Sequence, residues 1–217
     1  WALRKNVRFI YASSAATYGD GSNGYSDDDA ITENLLPLNA YGRSKHAFDL
    51  WALETRAFEH IVGLKYFNVY GPGEDHKGDM RSVVNKAFRQ VMKEGKITLF
   101  RSHRPDYRDG EQTRDFIFVD DAVDMTLFFH DRRNVSGLFN CATGQARTWL
   151  SLAHAVFAAL GKPPEIKFTD IPRHIREQYQ YHTQADMATI RRAGYVKPCL
   201  SLEEGVRRYV DELLVRP

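Results

Sequence analysis

Cysteine is scarce in this chain. Its 217 residues include two, Cys141 and Cys199. They lie far apart and in no metal-ligand spacing, which excludes a disulfide framework and reads as ordinary thiols of a reducing, cytoplasmic compartment. No apolar run is long enough for a membrane span, so no membrane partner is expected. The opening Trp1-Ala2-Leu3-Arg4-Lys5-Asn6 leads straight into an apolar strand and has no signal-peptide pattern. It also lacks an initiator Met, so Trp1 is read as a non-native start. The net charge of +2 excludes a nucleic-acid footprint. The eight histidines form no His-x-x-x-His pair, so no metal site is expected. What remains, at 43% hydrophobic and 27% charged residues, suits one globular domain or one and a half.

The chemistry begins with Tyr41-Gly42-Arg43-Ser44-Lys45. This Tyr-x-x-x-Lys opens an apolar-periodic run through Phe48, Leu50, Trp51 and Leu53, which predicts a helix to about Glu59. Residues four apart share a helix face, so Tyr41 and Lys45 would stand together. A cation beside a phenol favours the phenolate and makes it a usable acid–base group. Alone, the spacing is also that of many ordinary helix surfaces.

Val7 to Ala12 reads as a buried strand ending in the hydroxylated turn Ser13-Ser14-Ala15-Ala16-Thr17-Tyr18-Gly19. Open α/β sheets bind ligands at such strand ends. Gly19-Asp20-Gly21-Ser22-Asn23-Gly24 matches G-x-G-x-x-G letter for letter, yet it is rejected as a dinucleotide fingerprint. The strand ends too early, and the acidic loop Asp27-Asp28-Asp29 follows where a helix should open.

Further strands are expected at 61–67, 97–100, 116–119, 138–141 and 166–168. Helices are expected at 83–93 with Gly95 as stop, from Asp120-Asp121 as cap to Phe129, from Thr148 or Ser151 to Gly161, at 185–193, and at 202–214. Asn68 to Gly73 is a strand end with breakers, 75–79 a charged loop, and 101–114 an irregular basic segment. Strand–helix alternation predicts a parallel sheet through the first 70 residues or so, then a more varied region. No internal repeat stands out.

The order of the motifs says more than any one of them. Tyr11-Ala-Ser-Ser-Ala-Ala-Thr-Tyr-Gly19, Tyr41-x-x-x-Lys45, Tyr66-Phe-Asn-Val-Tyr-Gly-Pro72 and Arg114-Asp-Phe-Ile-Phe-Val-Asp-Asp121 together resemble the extended short-chain dehydrogenase/reductase superfamily. Asp75-His-Lys-Gly78, Asp109-Gly-Glu-Gln-Thr-Arg-Asp115, Thr183-Gln-Ala-Asp-Met187 and Arg192-Ala-Gly-Tyr195 are similar to its ADP-L-glycero-D-manno-heptose 6-epimerase family. The resemblance covers nearly the whole chain. It implies a Rossmann-type doubly wound α/β sheet with a smaller mixed α/β substrate-binding cap. Residues 1–72 would belong to the cofactor domain and 73–217 mainly to the substrate region, with 116–142 returning to the sheet. Such enzymes open with a strand, a Gly-rich turn and a helix, and none is found here. About a hundred residues are therefore expected ahead of Trp1, and the chain alone is expected to be inactive.

The implied activity is epimerisation at C6″ of ADP-D-glycero-D-manno-heptose, a lipopolysaccharide core precursor, by transient oxidation and re-reduction with NADP, or alternatively NAD. By position, Tyr41 would be an acid–base group, Lys45 would bind the nicotinamide ribose, Ser14 would hydrogen-bond the reacting oxygen, and Lys77 would be a second acid–base group. Tyr41, Lys45, Val69 and Lys77 would meet the cofactor. Asn68, Asp79, Lys86, Phe100, Arg101, Ser102, Arg114 and Tyr179 would meet the nucleotide sugar, with Arg114 on the diphosphate. A homo-oligomer is expected of the full-length protein. The alternatives are another nucleotide-sugar epimerase, such as a UDP-hexose 4-epimerase, or a non-catalytic remnant. Ala16 and Thr17 stand where a dehydratase would carry acidic residues, which argues against elimination.

Overall fold

The computed structural model describes residues 1–215 of the chain. The first apolar run becomes strand β1 at Ile10–Ser14, later than the expected 7–12. Its partner sets the boundary: Ile10 pairs with Val62 and Ser14 with Tyr66 in parallel register. Val7 and Phe9 stay exposed, and both serines belong to the strand rather than to the turn after it. The chain then turns through a 3-10 segment at Ala15–Tyr18. Gly19, Gly21 and Gly24 all take positive φ in the loop that follows. No helix opens until α1 (Asp29–Thr32), capped by Asp28, so the G-x-G-x-x-G letters carry no pyrophosphate loop.

Helix α2 spans Ala40–Glu54, and Asn39 Oδ1 accepts from Gly42 N to cap it. It stops short of Glu59 because Arg56 adopts a left-handed conformation and the chain tightens into a 3-10 turn at Ala57–Glu59. That turn tucks Ala57 and Phe58 against Ala52 and Ile61. Strands β2 (Val62–Tyr66) and β3 (Asn68–Tyr70) follow, then a 3-10 segment at Asp75–Met80. Helix α3 (Val83–Glu94) starts at a Ser82 cap and ends at Gly95, whose φ of 72° suits glycine.

Next come β4 (Ile97–Phe100) and β5 (Thr113–Phe118). β5 begins before the expected Phe116 and so includes Arg114. In α4 (Val119–Asp131) the cap position is Phe118, without a side-chain cap bond, and Asp120 and Asp121 sit in the first turn instead. Carboxylates there still favour the positive end of the helix, and Asp121 accepts from Leu200 N at 2.9 Å. Then follow β6 (Gly137–Cys141), an unexpected β7 (Ala146–Thr148), α5 (Trp149–Ala159), β8 (Ile166–Thr169) and a short α6 (Arg173–Arg176). The helix expected over 185–193 shrinks to α7 (Ala188–Arg192). Ala185 N and Asp186 N donate to Asp115 and to Tyr25 O instead, which keeps them out of the helix. α8 (Leu202–Val215) closes the described chain.

The strands form a parallel sheet in the order β1-β2-β6, a mixed sheet β3-β5-β7 and a parallel pair β4-β8. This is the α/β, Rossmann-like arrangement that the resemblance implied, and its β1-β2-β6 sheet has the parallel pairing that the alternation predicted. One core gathers β1, β2, β6 and α4 around Leu64, Ile117, Met125 and Phe129. A second gathers α3, α5 and α8 around Phe88, Phe157, Val206 and Tyr209. Both free cysteines sit against the first core, and burial pushes both thiols up, Cys199 to about 12.

Helix α8 approaches β3 closely at Gly205, where a Cβ would lie 2.2 Å from Tyr70 Oη. Gly205→Ala should therefore destabilise the fold by about 1–3 kcal/mol despite the better helix propensity of alanine. Adding Tyr70→Phe should recover part of the loss, as measured by urea unfolding of both variants.

Candidate active site

Three of the expected site residues, Ser14, Tyr41 and Lys45, lie on β1 and the start of α2. Ser14 is the last residue of that strand and accepts from Ala16 N at 3.2 Å, so it caps the 3-10 turn. Gly42 presses the first turn of α2 onto that turn: a Cβ there would lie 2.6 Å from Ala16 O. This contact explains the glycine inside Tyr-x-x-x-Lys and brings Tyr41 to the end of the strand that holds Ser14. Tyr41 is 56% exposed. Lys45 Nζ stands 5.8 Å from the centroid of its ring and donates to Ala12 O at 2.9 Å.

Beneath this group lies a buried polar network that motif reading missed. Asp49 follows Lys45 by one helical turn, and Lys65 sits in the middle of β2; both are fully buried. Asp49 accepts from Tyr11 Oη at 2.6 Å, Ser13 Oγ at 2.8 Å and Lys65 Nζ at 2.9 Å. Lys65 also donates to Thr17 Oγ1 at 2.8 Å and stands 4.9 Å above the Tyr18 ring. Thr17 in turn donates to Ser14 O at 2.8 Å. Burial pulls the Lys65 ammonium pKa down, and the Asp49 carboxylate opposes that shift. Burial also lowers the pKa of neighbouring His46, and Lys65 adds to it. The signal in the sequence was a lysine inside an otherwise apolar strand and an aspartate inside an apolar helix stretch.

The strand register carries the site further. Ser14 pairs with Tyr66, and Asn68 begins β3 just beyond. Asn68 and Val69 line a cavity of about 290 Å³ together with Glu74, Lys77, Ser82 and Trp149. Lys77 and Asp79 are exposed in the Asp75–Met80 segment. A second cavity of about 350 Å³ is lined by Lys86, Leu99, Phe100, Trp149 and Tyr179, with Phe100 edge-on to Tyr179. Arg101 is exposed, and Ser102 is engaged in its own loop, its amide donating to Asp109 and its hydroxyl to Arg104 O.

Arg114 is buried on β5, with its guanidinium 5.5 Å from the Trp149 ring and 5.3 Å from the Tyr179 ring. It donates to Thr113 O at 2.7 Å and to Gln180 O, and among the described residues it has no carboxylate partner. Burial pulls its pKa down, while the Tyr179 phenol opposes the shift. It borders a small cavity of about 130 Å³ shared with Ala16, Gly19, Asn39 and Tyr179, which connects Arg114 to the turn after Ser14. Trp149, which touches both larger cavities and Arg114, gave no motif signal.

Lys65→Met should destabilise the protein by about 3–5 kcal/mol, because Asp49 would stay buried without its cation. Adding Asp49→Asn should return most of that, since asparagine keeps an acceptor for Tyr11. Urea unfolding of the two variants reads the coupling; a double variant that is worse than the single one would show that the two charges do not act as a pair.

The model of the NAD dependent epimerase/dehydratase family matches residues 1–142. The chain is 51% identical over 212 residues to an ADP-L-glycero-D-manno-heptose-6-epimerase of Nitratidesulfovibrio vulgaris, a match that covers 98% of this chain. The chain spans 66% of that relative's length. The crystal structure of the Helicobacter pylori ADP-L-glycero-D-manno-heptose-6-epimerase superposes with a TM-score of 0.80 at 28% identity, covering 98% of this chain and 61% of that one. The Thermus thermophilus UDP-glucose 4-epimerase, solved in complex with NAD, superposes with a TM-score of 0.80 at 25% identity, covering 100% of this chain and 67% of that one. A family match over residues 1–142 that takes in Ser14, Tyr41 and Lys45, on a Rossmann-like sheet, makes this chain a member of the NAD dependent epimerase/dehydratase family.

Proposed function

We propose that the protein carrying this sequence interconverts ADP-D-glycero-D-manno-heptose and ADP-L-glycero-D-manno-heptose at C6″, with NADP as cofactor. The observation behind this reading is that two acid–base candidates lie beyond strand ends, one after β1 and one after β3. Tyr41 comes from α2, and Lys77 from the loop beside Asn68. Inverting a carbinol centre requires deprotonating and reprotonating its oxygen in two orientations, and two such groups suit that task.

The residues fit a pyridine nucleotide. An ammonium has three N–H donors, and Lys45 directs one to Ala12 O, so the others suit ribose hydroxyls. Val69 and Lys77 line one cavity with Asn68. When bound, the cofactor supplies a hydride acceptor and donor. Tyr41 takes and returns the hydroxyl proton, Ser14 hydrogen-bonds the same oxygen, and Lys77 serves the opposite orientation. Asn68 holds the sugar, with Asp79 beside it. Arg114 binds the diphosphate: a planar guanidinium held against the Trp149 and Tyr179 rings presents a fork suited to two parallel hydrogen bonds to phosphate oxygens. Phe100, Tyr179 and Lys86 hold the nucleoside, with Arg101 and Ser102 at its rim. In this reading residues 1–72 and 116–142 carry the cofactor side and the rest of 73–217 the substrate side. The enzyme works as a homo-oligomer in the cytoplasm.

Incubation with ADP-D-glycero-D-manno-heptose and, separately, UDP-glucose, followed by proton NMR of the sugars, tests the reading. Turnover of the heptose substrate supports it, and turnover of the hexose alone sinks it. Tyr41→Phe should lower kcat by roughly two to four orders of magnitude. Arg114→Met should raise KM for the ADP sugar by roughly 10–100-fold, the size of a lost charge-assisted contact; an unchanged KM would remove the diphosphate role.

A further inference from the structure

We propose that Glu74 and Tyr209 are positioning residues for Lys77, forming a clasp that fixes where the Asp75–Met80 loop holds that lysine. The proposal rests on the acid–base role given to Lys77 above.

All six residues of the loop are exposed, and none packs into a core. The placement of the loop therefore depends on its ends. Glu74 precedes it and is 4% exposed. Its carboxylate accepts from Ser82 N at 2.7 Å and from Ser82 Oγ, two residues past the other end of the loop. It also accepts from Tyr209 Oη at 2.8 Å. One carboxylate thus ties both ends of the loop together and fastens them to α8. Lys77 N donates to Glu74 O at 3.0 Å, so the lysine is registered directly on the clasped residue. Within the loop, Gly78 reverses the chain at φ 54°, and Arg81 Nε donates to its carbonyl at 2.6 Å. Arg89 Nη2 reaches back from α3 to Asp75 at 2.6 Å.

Tyr209 has the chemistry for this task. Its hydroxyl is buried, donates to Glu74 and accepts from Asn85 Nδ2 at 2.8 Å, which uses both its donor and an acceptor site. Burial pushes its pKa up, with Glu74 adding to the shift, so it keeps the proton that it donates. A tyrosine that merely filled the core would need no hydroxyl; phenylalanine would pack equally well there.

The test uses Tyr209→Phe and Lys77→Met, singly and combined, in the protein carrying this sequence. Hydrogen exchange read by mass spectrometry should quicken about tenfold in the peptide spanning 74–82 of Tyr209→Phe, the scale of one lost buried hydrogen bond, while β1 and β2 keep their protection. Tyr209→Phe should lower kcat about tenfold with KM unchanged, and it should cost nothing further in the Lys77→Met background, because a residue that acts through Lys77 has nothing left to position. Ser82→Ala, which removes a donor at the other end of the clasp, should repeat the pattern. Losses that add in the double variant, or unchanged exchange over 74–82, overturn the proposal. Full turnover by Lys77→Met alone overturns the acid–base reading and the purpose of the clasp with it. Faster exchange in Tyr209→Phe would then show a clasped loop with no catalytic duty.

Discussion

The geometry of the candidate site depends on the ion pair between Lys65 and Asp49, buried where β1, β2 and α2 meet. A buried pair of this kind adds little net stability over a well-packed apolar pair, because desolvating both charges offsets most of their attraction. Its consequence is specificity of placement. Three consecutive residues of β1 bind α2: Tyr11 and Ser13 through Asp49, and Ala12 through Lys45. Sliding α2 by one residue along the strand would break all three contacts and leave two charges uncompensated in the core. The same network continues through Thr17 to the carbonyl of Ser14. The relative position of Ser14, Tyr41 and Lys45 is therefore set largely from below, by the buried network around Asp49 and Lys65.

This network was the least legible part of the site, for a physical reason. Tyr41 and Lys45 announce themselves because both lie on one helix and share a face by spacing alone. Asp49 extends that face by another turn, yet its partners come from strands whose register no spacing reveals. Trp149 was invisible for a similar reason: its place beside Arg114 follows from the antiparallel β5–β7 pairing, and β7 is too short to show in a sequence. The elements read well where periodicity and stop signals agreed, as in α3 with its Gly95 end. They read poorly where tertiary bonds competed with local preference, as at Ala185, whose amide serves Asp115 rather than a helix. The rejected G-x-G-x-x-G shows the reverse case, in which context outweighed a literal match.

The two acid–base candidates are held in contrasting ways. Lys45 and Tyr41 stand on a fifteen-residue helix locked to the sheet. Lys77 stands on an exposed loop tied down at its neck. A ligand as large as the proposed nucleotide sugar would have to enter and leave, so some part of the wall must be able to yield. Placing that freedom in the loop leaves the strand-end geometry of Ser14 and Tyr41 undisturbed.

Arg114 completes the division of labour. Burying a guanidinium without a carboxylate is costly, and the fold offsets the cost only in part, through two backbone carbonyls and two aromatic faces. A carboxylate partner would have satisfied the charge and stabilised the fold, but it would also have occupied the donors that the proposed diphosphate contact needs. In the role proposed for Arg114, an anionic ligand would supply the unmet part of that charge, so a deficit in the free protein would be recovered on binding. Lysine would not substitute in that role: it has no planar fork to lay against Trp149 and Tyr179, and it would hold a diphosphate as a point charge rather than in a defined orientation.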